Sequence, residues 1–277
     1  MSIVERLEKL DRRLIFVLIL LAVVIPLVRP IGFKIEVSEP VQQLYEAIES
    51  LNPGSRVIIS CDYDPSTMPE IYPMNQALAR HCFSRDLKIV GMGLWPQGVP
   101  LGQASMEQAA EEYGKSYGVD YVNLGFKAGG IVVVSSVAEN IPATYPQDYA
   151  GRPVSELPIM DGVRNFDNIE LIISLSAGDP GVREWVMIGQ GRYGKTVGAG
   201  VTAVSAPAFY PYLQAGQLVG MMGGMKGAAE YEILMEGTGT ASRGMDAQSV
   251  AHGLIIFFIL FANFFYLVGR RKMPWKR

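Results

Sequence analysis

Two aspartates, Asp62 and Asp64, stand two residues apart directly after the apolar run Arg56–Cys61 (RVIISC). Paired carboxylates at the mouth of a strand can share a proton transfer or hold a divalent cation, because hard cations prefer oxygen ligands. The same residues equally suit an Asx turn and helix cap, with Asp64, Ser66 or Thr67 bonding backbone amides. His81 and His252 are the only histidines. A zinc site on either would need acids or thiols that the spacing does not supply. A Ser-His-Asp set would have to recruit His81, and no serine lies in a GxSxG setting. Cys61 and Cys82 are compatible with a disulfide in an oxidising compartment or with two buried thiols.

The Asp62-Tyr63-Asp64 spacing resembles the DxD motif of haloacid-dehalogenase-type phosphotransferases, over these few residues alone. That resemblance implies one aspartate as nucleophile and the other as proton donor. Pro65 departs from the family's pattern, and no later pair of acids completes a magnesium site. Gly189–Thr196 (GQGRYGKT) matches GxxxxGK[ST], the phosphate loop, which needs a strand before it and a helix after it. Here REWVMI before it reads as the tail of a helix and VGAGVTAV after it reads as a strand. A Gly-rich turn is expected, without nucleotide. In Gly91-Met-Gly93-Leu-Trp-Pro96, Pro96 takes the place of the third glycine of a dinucleotide fingerprint. No cofactor and no metal are expected.

The elements that must position these residues follow from periodicity. Glu36–Leu51 places Val41, Leu44, Tyr45, Ile48 and Leu51 at helical spacing, with Ser38 as cap and Pro40 in the first turn. Short apolar runs predict buried strands at 56–61, 87–92, 119–126, 169–177 and 197–204. Helices are expected from Glu70 or Pro73 to Phe83, from a Ser105/Gln108 capping box to Tyr117, and from Asp179 or Pro180 to Trp185. GGIVVVSSVAENI has strand propensity, but a parallel sheet needs a crossover there, so a helix is expected. Alternation of this kind predicts an α/β fold: a Rossmann-like open, mostly parallel sheet flanked by helices. Ligands of such sheets bind beyond the carboxyl ends of the strands. The loops there carry Asp62, Asp64, Ser66, Thr67, Trp95, Gln97, Lys127, Asp179, Ser205 and Tyr210.

The ends of the chain differ from its middle. Leu14–Val28 is free of charge, and Ala247–Val268 is 22 uncharged residues. Both read as membrane spans, one at each end, the first as an uncleaved signal anchor because no small-x-small site follows it. The expected organisation is a cytoplasmic tail over 1–13, a first span over 14–33, an α/β domain over 34–246, a second span over 247–268 and a basic tail over 269–277. Residues 1–34 carry a net +3, 35–249 a net −11 and 250–277 a net +5. Arg6, Lys9, Arg12 and Arg13 before the first span, and five basic residues after the second, put both termini in the cytoplasm and the acidic domain outside the cell membrane. The acidic middle argues against nucleic acid as a partner.

Thr196–Met225 lacks charge over 30 positions. Its prolines, glycines and glutamines predict a strand, a turn and a small-residue helix rather than a third span. On that helix Gly216, Gly220 and Gly224 would recur every four residues, with Met221 and Met225 beside them, as a smooth face for a neighbouring helix or subunit. The leading functional expectation is therefore a non-catalytic structural or scaffolding subunit of a larger membrane assembly, partnered by the lipid bilayer and by other subunits or itself. A small-solute-binding sensor or transporter accessory comes second, and a membrane-anchored metal-dependent hydrolase using Asp62 and Asp64 third.

Overall fold

The computed structural model describes residues 11–235, 237 and 239–270. Arg6, Lys9, Arg271, Lys272, Lys276 and Arg277, on which the charge argument for the two tails partly rests, lie outside the described residues. The chain divides into two units: Ile35–Ala241, and the terminal segments Met1–Lys34 with Ser242–Arg277.

The first unit is a six-stranded, all-parallel sheet with helices on both faces. Its strands are β1 (Arg56–Asp62), β2 (Lys88–Gly93), β3 (Tyr121–Phe126), β4 (Leu171–Ser176), β5 (Thr196–Val201) and β6 (Met221–Gly223), in the order β3-β2-β1-β4-β5-β6. That order is consistent with a Rossmann-like fold, in which the chain reverses its winding between β1 and β4. On one face pack α2 (Glu39–Glu49), α3 (Met68–Ser84), α4 (Gly98–Tyr113) and α9 (Gly224–Leu234). On the other pack α5 (Ile131–Glu139), α6 (Ile141–Thr144) and α7 (Val182–Trp185), which continues through a wide turn, Val186–Gln190, to Tyr193.

Alternation sorts β1 between the layers. Ile58 joins a core with Val90, Val122, Ile172, Phe166 and Trp185. Ser60 and Asp62 follow it on the same face because side chains alternate along a strand. The Val-rich segment is the helix α5, as the crossover requires: Val133, Val134 and Val137 are buried. A chain of three short 3-10 turns, from Val154 to Asn168, then leads to β4.

Several local expectations fail for identifiable reasons. Helix α4 begins at Gly98, a full two turns before Ser105, which is buried inside it, so there is no capping box. Ser38 caps nothing with its side chain; its amide and hydroxyl both donate to Glu230 of α9. The largest correction concerns Gly216, Gly220, Met221, Gly224 and Met225, which do not lie on one helix. Pro207 and Pro211 confine helix to a 3-10 turn, Ala206–Ala208, and to α8, Tyr210–Gln214. Gly216 follows at φ +68°, Met221 is buried in the short strand β6, and Gly224, at φ +62°, starts α9 with Met225 in its first turn. Gly220 does allow a close approach, but to the domain's own helix: a Cβ there would lie 2.4 Å from the Leu44 amide nitrogen and 2.5 Å from the Pro40 oxygen of α2.

In the terminal unit only Thr240–Leu267, within α10 (Thr240–Arg270), is long and apolar enough to cross a membrane among the described residues. The expectation of one such helix at each end is corrected. Helix α1, Arg12–Val28, has 17 residues, about 25 Å against a hydrocarbon core of about 30 Å. It stops early because Pro30 disfavours helical backbone at Arg29. The chain after it, Ile31 to Phe33, gives three backbone N–H groups to the carboxylate of Asp246 on α10, at 2.8, 2.8 and 3.1 Å.

Candidate functional site

The carboxyl end of β1, beside the point where the winding reverses, gathers the most concentrated buried polar chemistry of the domain. Asp62 is fully buried. Its Oδ1 accepts from Ser60 Oγ at 2.7 Å and the Leu94 amide at 2.7 Å, and its Oδ2 from Ser174 Oγ at 3.1 Å and Trp185 Nε1 at 3.3 Å. These donors come from β1, the loop after β2, β4 and α7, so one carboxylate ties four elements together. Burial pushes its pKa up to about 6, and the four donors, which favour the anion, oppose that rise.

Asp64 faces its own loop. Its Oδ1 accepts from the Ser66 amide at 2.9 Å, the Ser66 hydroxyl at 2.6 Å and the Thr67 amide at 3.3 Å. This is an Asx turn leading into α3, and those hydrogen bonds, the Ser66 hydroxyl first, hold the exposed carboxyl below its ordinary range. The two aspartates therefore do not converge on one point. Asp62 is closed in beneath α7 while Asp64 caps a surface turn.

Most of the other strand-end residues are engaged by neighbouring groups, and Gln97 and Tyr210 are not. Trp95 stacks beside Gly178 and donates from Nε1 to the Pro180 carbonyl at 2.9 Å, joining the loops after β2 and β4. Lys127 Nζ donates to the Thr144 carbonyl at 2.7 Å. Asp179 pairs with Arg183 at 2.9 Å on the surface. The Ser205 hydroxyl accepts from Thr202 Oγ1 at 2.9 Å. Gln97, next to the start of α4, and Tyr210, at the start of α8, are exposed. A 420 Å³ recess lies to one side, around Lys127, Val132, Ser136 and Asn140. The larger cleft, 520 Å³, lies at the opposite edge of the sheet, where β5 begins.

No family model, curated protein or solved structure matches the chain. The reading of the site rests on its own geometry.

Among the described residues no group of three or more His, Cys, Asp or Glu side chains lies together as a metal site would need. Cys61 and Cys82 are buried free thiols, and burial raises both pKa values, that of Cys82 to about 12. His81 is buried between helices. Its Nε2 lies 2.8 Å from Glu49 and its Nδ1 2.6 Å from the Tyr231 hydroxyl. The neutral ring donates to the carboxylate and accepts from the phenol, and burial lowers its pKa against the pull of Glu49.

Sequence reasoning missed the partners of Asp62. Ser60 and Ser174 each interrupt an apolar strand, and that interruption is a readable sign of a buried polar contact. Trp185 carried no such sign. Also missed were the acids that fix the two ends of the α/β unit to α9: Glu230, which takes Ser38 and pairs with Lys226, and Glu232, which takes the amides of Gly239 and Ala241.

Proposed function

We propose that the protein is a non-catalytic subunit of a larger membrane assembly, anchored by its C-terminal apolar helix and displaying its α/β domain outside the cytoplasm. The observation that carries this reading is the fate of the strand-end side chains. Asp62, Trp95 and Lys127 bond to other elements of the domain, and Asp64, Asp179 and Ser205 are engaged by near neighbours in sequence. A hydrolase built on Asp62 and Asp64 would need both carboxylates to face one substrate, and they face different neighbours.

Anchoring is supported by the uncharged stretch Ala247–Val268 and by Asp246, which binds the segment after α1 to the start of the terminal helix. The acidic domain between basic flanks supports its place outside the cytoplasm. With Cys61 and Cys82 both buried, a Val132→Cys variant offers one exposed thiol. It should react with a membrane-impermeant maleimide on intact cells; reaction only after lysis would reverse the orientation.

The assembly itself is tested by native mass. Extracted from its own membrane in mild detergent, the chain should run in a particle well above the 30.3 kDa of one chain plus its micelle. A lone chain under those conditions overturns the proposal.

A further inference from the structure

The 520 Å³ cleft at the amino ends of β5 and β6 brings several unpartnered polar side chains together. Four polar side chains, Gln190, Lys195, Thr196 and Gln217, line it beside the partly buried Leu213; a fifth, Gln43, donates to Glu39. None of those four polar side chains makes a hydrogen bond or ion pair with another described residue. No carboxylate lines the cleft, so the Lys195 ammonium is its single charge.

The residues of the phosphate-loop pattern form one wall, but the wall is not a phosphate cradle. The Gly194 amide is bonded to the Gln190 carbonyl and the Lys195 amide to the Gly189 carbonyl, both at 2.9 Å. The chain then enters β5 and not a helix. No nest of free amides and no helix dipole faces a phosphate there.

We propose that this cleft binds a small polyhydroxylated acid of the uronic-acid type, free or at the end of a saccharide chain. Lys195 takes the carboxylate. The primary amides of Gln190 and Gln217, each a paired donor and acceptor, match hydroxyl groups, which also donate and accept. Thr196 adds a hydroxyl of the same kind. Leu213, partly buried, supplies an apolar surface for the C–H face of the ring. The volume lies within the range of small-molecule sites, roughly 300–1,000 Å³. A single cation disfavours polyanions such as nucleoside triphosphates.

The test is calorimetric titration of the full chain in mild detergent with D-glucuronate, D-glucose and inorganic phosphate. Glucuronate should saturate with a Kd of about 1 mM or tighter, and glucose and phosphate should each bind about tenfold more weakly or worse. Lys195→Ala should weaken glucuronate about tenfold or more, Lys195→Arg should retain it, and Gln217→Ala should weaken both glucuronate and glucose. The unliganded Lys195→Ala variant should melt like the parent, because Lys195 holds no partner to lose. An oligosaccharide ending in glucuronate that binds more tightly than the monosaccharide identifies a polymer as the source; equal affinity identifies the free acid. Absence of saturation by glucuronate, phosphate binding as tight as glucuronate, or unchanged affinity in both Lys195→Ala and Gln217→Ala overturns the proposal. None of these outcomes bears on particle mass, so the subunit reading stands or falls separately.

Discussion

The two edges of the sheet use their polar residues in opposite ways. At the carboxyl edge, Asp62, Trp95 and Lys127 each bond to groups from other elements of the domain. At the amino edge of β5, the side chains of Lys195, Thr196 and Gln217 face a cleft and bond to no other described side chain or backbone group. In doubly wound folds the carboxyl edge is where ligands are expected. This domain shows that the same loops can be spent on joining strands and helices, and that residue type alone does not tell the two uses apart. Partnering does. A buried carboxylate surrounded by donors is a structural acceptor, whereas a half-exposed lysine without an ion-pair partner is available to a ligand.

The sharpest way to break the comparison is to damage each edge and measure stability. Trp185 is fully buried at the carboxyl edge and donates to Asp62. Trp185→Ala should cost about 3–5 kcal/mol in denaturant unfolding, from the cavity and the lost donor together. A loss below about 1 kcal/mol would mean that this edge is loosely built.

The pH dependence sharpens the same point. The carboxyl of Asp62 rises from 3.8 to about 6 on folding, so the folded state binds the proton more tightly than the unfolded state. Its contribution is complete below about pH 4 and is lost as pH rises through about 6, by about 3 kcal/mol in total. Asp62→Asn has no proton to lose, so this loss with rising pH should be absent from its profile. His81, whose pKa burial lowers, works in the opposite sense, favouring stability at higher pH. The difference between the parent and Asp62→Asn profiles removes its contribution. Identical profiles would show that Asp62 does not titrate on folding.

A smaller effect is expected at Gly220. Gly220→Ala places a Cβ against the backbone of α2 and should cost about 1–3 kcal/mol by overpacking. Thermal melting in detergent should fall while particle size stays unchanged. A change in particle size without a change in melting would return Gly220 to an interface between subunits.

Much of the domain was legible from local pattern. Strands β1 to β5 stand out as short runs of Val, Ile and Leu, and α5 could be assigned because two parallel strands need a crossover between them. Strand β6 was not legible. It spans three residues, Met221–Gly223, too few for a period of two to register, and its glycines mimic a small-residue helical stripe. The candidate site was legible only as residue types at strand ends. Whether Asp62 lies open or sealed depends on Trp185 and Leu94, which are 123 and 32 residues away, and local spacing holds no information on such contacts. The cleft beside Lys195 was hidden for the same reason, since the loop before β6 closes it from 20 residues downstream.

Hydrogen exchange at the Leu94 amide tests the central claim most directly, because this N–H donates to Asp62 at 2.7 Å inside the sealed edge. If the carboxyl edge is structural, the amide should exchange only through global unfolding, with protection matching the free energy from denaturant melts and falling in step with it in Trp185→Ala. Exchange through a local opening several kcal/mol below global unfolding would show an edge that opens on its own, as a ligand or catalytic site must, and would contradict the account.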